Sequence, residues 1–100
     1  MTQYGISESI LKLITTTCQT FPAVKHVIIY GSRARGDYKL GSDIDLAIDA
    51  PNMDSSTFSR LWNALDDLPI IYSMDIVHLQ SLQNKPLRNA IQREGCIIWP

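Results

Sequence analysis

The sequence predicts an α/β (α+β) fold, a layered sheet with helices packed against it. Three observations predict it. Segments with apolar residues at helical spacing alternate with short β-branched runs. Pro and Gly stand at the joints between them. The 100 residues, 45% hydrophobic and 19% charged, suffice for one domain over 1–100 with one core.

The elements follow in order. Ile6, Ile10, Leu13, Ile14 and Cys18 recur on one helical face, with Ser7 as N-cap, and Phe21-Pro22 ends the helix. Val24 to Tyr30 is a β-branched run that reads as a buried strand closed by Gly31. A short helix opens at Ser32. Asp43 to Ile48 is a second strand, with Asp43 and Asp45 on one face and Ile44, Leu46 and Ile48 on the other. After Pro51-Asn52, Asp54 or Ser55 caps a helix whose apolar stripe is Phe58, Leu61, Trp62, Leu65 and Leu68, which places Trp62 in the core. Pro69 stops it, and Tyr72 to Leu79 reads as a third strand. Asn84 and Pro86 open a late helix with Leu87, Ala90 and Ile91 inward and Gly95 as its C-terminal cap. Cys96 to Trp99 forms a last strand.

Composition narrows the function. Nine Lys+Arg against ten Asp+Glu give a net charge of −1, which argues against a long nucleic-acid ligand. The Met1-Thr2-Gln3-Tyr4-Gly5 start lacks the charged and apolar regions of a signal peptide, and no apolar run reaches the ~20 residues of a membrane span. Cys18 and Cys96 have no metal-like spacing and read as free thiols. A cytoplasmic location is the expectation. His26 and His78 have no Cys or His at ligand spacing and read as packing or surface residues.

The chemistry is concentrated between Gly31 and Leu46. Gly31 lets a phosphate lie against the backbone because no Cβ intrudes. The first N–H groups of a helix opening at Ser32 point outward, and its hydroxyl can donate to a phosphate oxygen. Arg33 and Arg35 leave the same turn and can neutralise phosphate charge. Only one of them is expected to face the ligand, the other being a surface arginine or the partner of a carboxylate. Asp43 and Asp45 would repel a nucleoside triphosphate unless cations intervene, and magnesium commonly bridges such carboxylates to phosphates. Two ions can clamp an in-line displacement. Asp75, mid-strand between Met74 and Ile76, is the candidate third carboxylate if its strand neighbours that of Asp43 and Asp45, and a general base for an incoming hydroxyl.

Gly31-Ser32-Arg33-Ala34-Arg35-Gly36 followed by Ser42-Asp43-Ile44-Asp45-Leu46 resembles the minimal nucleotidyltransferases of the DNA polymerase β-like superfamily. The resemblance runs from Val27 to about Trp99. It implies a small mixed β-sheet flanked by helices, the nucleotidyltransferase palm, and transfer of NMP, AMP from ATP above all, to a hydroxyl. It implies that Gly31 and Ser32 hold the triphosphate, that Asp43 and Asp45 bind Mg2+, two ions in all, and that Asp75 completes the set. Members of this group are often encoded beside HEPN-domain toxins, and the nucleotidyltransferase is the antitoxin. The chain ends five residues after Gly95, so the acceptor is expected to come from a partner such as a HEPN toxin. The rival expectations are neutralisation of that toxin by binding alone, and transfer to a small molecule of the aminoglycoside type.

Overall fold

The computed structural model describes residues 2–100; Met1, at the head of the segment read as lacking a leader, lies outside them. The chain runs β1 (Thr2–Gln3), β2 (Ile6–Ser7), α1 (Glu8–Gln19), β3 (His26–Tyr30), α2 (Gly31–Arg35), β4 (Ile44–Asp49), α3 (Ser55–Asp66), β5 (Met74–His78), one 3-10 turn (Leu79–Ser81), α4 (Lys85–Glu94) and β6 (Cys96–Trp99). The caps are those the sequence supplies. Ser7 Oγ accepts from Ile10 N–H, Asp54 from Thr57 N–H and Asn84 from Leu87 N–H, each satisfying an otherwise orphan donor.

Strand alternation sets the layers. The main sheet has the order β5-β4-β3-β6, with β3 antiparallel to both its neighbours and β4 parallel to β5. Antiparallel strands need only a turn, whereas the parallel β4–β5 pair needs the crossover that α3 provides. On one face Val27, Ile29, Ile44, Leu46 and Ile48 are fully buried, together with Ile14 and Cys18 of α1 and Leu61 and Leu65 of α3. On the other face Tyr30 and Ala47 pack with Ile91 of α4. A small mixed sheet with helices on both sides is what the sequence predicts.

Four local readings are corrected. A two-residue hairpin, β1 against β2, precedes α1; its turn is Tyr4-Gly5, both at positive φ. Trp62 lies on the apolar stripe of α3 but is 39% exposed, because Leu61 and Leu65 fill the line of contact and the stripe is wider than that contact. Leu13 of α1 is exposed for the same reason. Gly95 follows α4 in extended backbone rather than as a left-handed cap; what it provides is space, since a Cβ there would sit 2.6 Å from Ile28 Cγ2.

Cys18 and Cys96 are free thiols, and burial pushes Cys18 up to about 12. His78 packs as expected. Its Nε2 lies 2.8 Å from the Ala50 carbonyl oxygen, which only accepts, so Nε2 donates and Nδ1 accepts from the Ser81 hydroxyl. No helix among the described residues is long and apolar enough to cross a membrane.

Candidate active site

The register of three strands builds an acidic row. Tyr30 at the end of β3 is paired with Asp45 of β4, and Asp45 with Asp75 of β5. Cross-strand partners share a face, so these side chains stand side by side on the α4 face of the sheet. Asp43 lies one position before β4, and the alternation that continues through Asp45 directs it to that face too. Asp43 and Asp75 are exposed and Asp45 is half-buried.

The electrostatics report this crowding. Burial, then Asp75, then Asp43 raise the Asp45 carboxyl above its ordinary value, while Arg35 and Arg33 oppose the shift. Burial, then Asp75 and Asp45, push the Tyr30 phenol up to about 12. The phenol is therefore protonated at neutral pH and lies beside the carboxylates as a potential donor.

Gly31 closes the site from the β3 side. It has φ +74, a region that side chains with a Cβ avoid, and an added Cβ would lie 3.2 Å from Asp45 Cγ and in collision with Asp45 Oδ2. The carboxylate thus occupies the volume that any other residue at position 31 would fill. Ser32 follows in the first turn of α2, where no side chain caps the helix. Backbone N–H groups at that turn have no partner within the helix.

Among the described residues, no three His, Cys, Asp or Glu side chains form a ready metal cage. The donor set nonetheless fits magnesium. It is all oxygen and negatively charged, and magnesium usually takes one or two carboxylates and completes its octahedron with phosphate oxygens and water. A carboxyl raised by burial and by two neighbouring carboxylates, as Asp45 is, marks a place where a divalent cation relieves repulsion.

The two arginines part company. The sequence places both Arg33 and Arg35 at the phosphate turn and expects one of them to face the ligand. Arg33 is only 3% exposed, and its donors are committed to protein. Nε and Nη2 donate to the Ser42 carbonyl at 3.2 and 2.7 Å, and Nη1 donates to the carbonyls of Tyr4 and Gly5 at 3.0 and 3.2 Å. In this structure it is an internal cross-link, because a buried guanidinium must satisfy its N–H groups where it lies. Arg35 is half exposed and pairs with Asp37 Oδ2 at 3.1 Å and Glu94 Oε2 at 2.9 Å. Its pairs are solvent-facing and weakly held, so an anion can compete for it.

With the geometry in place, comparison with known proteins decides the family. Residues 12–100 match the sequence profile of the family described as Polymerase beta, Nucleotidyltransferase. The chain belongs to that family. No curated protein sequence matches this nucleotidyltransferase chain. Solved structures do. One described as a toxin-antitoxin with AMP-PNP superposes with a TM-score of 0.67 at 24% identity, over 89% of this chain and 72% of that one. The toxin-antitoxin MntA-HepT gives a TM-score of 0.62 at 21% identity, over 93% and 72%. A Sulfolobus solfataricus protein described provisionally as a nucleotidyltransferase gives 0.56 at 23% identity, over 91% and 80%. At these identities the likeness shows that the nucleotidyltransferase fold is shared.

Proposed function

We propose that this nucleotidyltransferase carries AMP from ATP to a hydroxyl of a partner HEPN toxin and so acts as an antitoxin. The observation that carries the reading is the row Tyr30, Asp45 and Asp75, with Asp43 beside it, closing against the bare backbone of Gly31. The toxin-antitoxin descriptions of similarly folded proteins support the choice of partner.

In this reading Gly31 and Ser32 seat the triphosphate on unpaired backbone N–H groups and the Ser32 hydroxyl. Arg35 leaves Asp37 and Glu94 to meet phosphate charge. Asp43 and Asp45, with Asp75, would hold magnesium, two ions in all. Bound there, magnesium would supply the positive charge that lets carboxylates and phosphates approach. Asp75 accepts the proton of the acceptor hydroxyl. The oxygen then bonds to the α-phosphorus, the bond to the β-phosphate oxygen breaks, and pyrophosphate leaves with the electron pair. The exposed flank at Asp43 and Asp75 leaves room for a protein-borne hydroxyl to enter.

The test uses α-labelled ATP, magnesium and the protein encoded by the neighbouring gene. Label is expected on that protein with the wild type and absent with Asp43→Asn plus Asp45→Asn. Toxin inhibition that survives the double substitution would replace transfer by neutralisation through binding. Label appearing on an aminoglycoside and not on protein would replace the acceptor.

A further inference from the structure

Arg33 lies in α2, two residues beyond Gly31, yet none of its contacts concerns phosphate. Its guanidinium grips the Ser42 carbonyl, the group covalently joined to the Asp43 nitrogen. It also lies 4.6 Å over the ring of Tyr72, in the lead-in to β5 and three residues before Asp75, and 5.2 Å over the ring of Tyr38 in the loop before β4. The two lead-ins are joined to each other, since Ile44 N–H donates to the Ser73 carbonyl at 2.9 Å. On its far side the guanidinium holds the turn of the β1–β2 hairpin through the Tyr4 and Gly5 carbonyls. Tyr38 packs against Gly5, where a Cβ would sit 2.6 Å from its Cζ.

One buried cation thus ties the turn expected to seat phosphate to the approaches of both carboxylate-bearing strands. The loop from Gly36 to Ser42 includes glycines at both Gly36 and Gly41, at φ +91 and +85, and would otherwise sample many conformations. Binding constellations need their supporting groups fixed by packing and hydrogen bonds. We propose that Arg33 is a positioning residue that holds Asp43 in place beside Asp45, so that the metal affinity of the acidic row depends on a side chain that touches neither metal nor nucleotide. This rests on the reading of Asp43 and Asp45 as metal carboxylates.

The test measures Mn2+ binding by electron paramagnetic resonance, with α,β-methylene-ATP present and no turnover. Arg33→Lys keeps the charge but lacks the planar fork that serves three carbonyls and covers two rings. It is expected to weaken Mn2+ binding about tenfold, the scale of losing an outer-shell partner of a metal site. Tyr72→Leu, which removes one stacking ring, is expected to weaken it in the same direction and decides the matter if Arg33→Lys does not fold. Ile14→Val, in the core on the opposite face, controls for general loosening and is expected to keep the wild-type affinity. If the wild type binds no Mn2+, or Asp43→Asn plus Asp45→Asn binds it equally well, the carboxylate reading falls and takes this proposal with it. If the wild type binds and the Arg33 and Tyr72 variants stay within about twofold of it, or Ile14→Val weakens binding as much, the positioning role alone falls.

Discussion

The two faces of β4 are made by neighbouring residues and have opposite tasks. Ile44, Leu46 and Ile48 are fully buried against α1 and α3. Asp45 stands on the other face, with Asp43 preceding it on the same side; Ala47 follows, packed with Ile91 of α4, and then Asp49. The first face is apolar along its whole length. The second is covered only where α4 reaches it, and the row of carboxylates lies beyond. A strand thus separates stability from chemistry at one-residue resolution, because its period is two. The even positions stabilise the fold strongly enough that odd positions can carry mutually repelling charges.

That contrast can be broken at three points. The largest effect on stability is expected on the closed face. Leu46→Ala should cost about 2–5 kcal/mol, a large part of the roughly 5–15 kcal/mol available to a domain. Urea unfolding measures it; a loss below about 1 kcal/mol would mean that this face is loosely packed. Gly31→Ala, at the rim of the open face, should cost about 1–2 kcal/mol for its positive φ, while its methyl displaces the Asp45 carboxylate. Labelled-nucleotide transfer by this variant should fall much further than its unfolding midpoint, and a proportionate fall in both would remove the special place of Gly31.

The smallest effect has the opposite sign. The Asp45 pKa is raised by burial, then by Asp75 and Asp43, so the folded chain binds its proton more tightly than the unfolded chain does. Its contribution is most favourable below the unfolded value of about 3.9 and is lost as pH rises through the raised folded value. Asp45→Asn, without metal, should therefore melt slightly higher than wild type at pH 7, the difference vanishing below about pH 4. Asp54 supplies the internal contrast. Its hydrogen bonds with Thr57 lower its pKa, so its contribution is present above the unfolded value and is lost on acidification. A destabilised Asp45→Asn at neutral pH would show that the row is held by attraction.

Much of this was legible beforehand. The alternation in Asp43-Ile44-Asp45-Leu46 named both faces of β4, and Ser7, Asp54 and Asn84 marked helix starts with side chains that have that one local use. Asp75 was placed by its expense as a mid-strand acid, and the parallel register with Asp45 agrees. What local pattern does not encode is long-range company. Arg33 and Arg35 look alike in sequence, and what separates them are carbonyls at Tyr4 and Gly5 and a carboxylate at Glu94, far along the chain. The strands of the hairpin before α1 are too short to show a period, so only the glycine of its Tyr4-Gly5 turn marks it in sequence. Trp62 is exposed although it lies on the stripe, because helical spacing defines a stripe and says nothing of how wide the covering surface is.

The position of β6 has a consequence for the order of assembly. Strand β3 is flanked by β4 within a short stretch of chain, but its other edge is closed by Cys96–Trp99, Ile28 pairing with Ile97. During synthesis the nascent chain therefore carries β3 with one row of backbone N–H and C=O groups open until β6 emerges. An open edge of this kind templates pairing with other chains. The hairpin-like β3–β4 pairing is local and quick, whereas closure by β6 has a long loop-entropy cost and comes late. Slow translation before β6 would lengthen the interval in which this open edge is prone to aggregate.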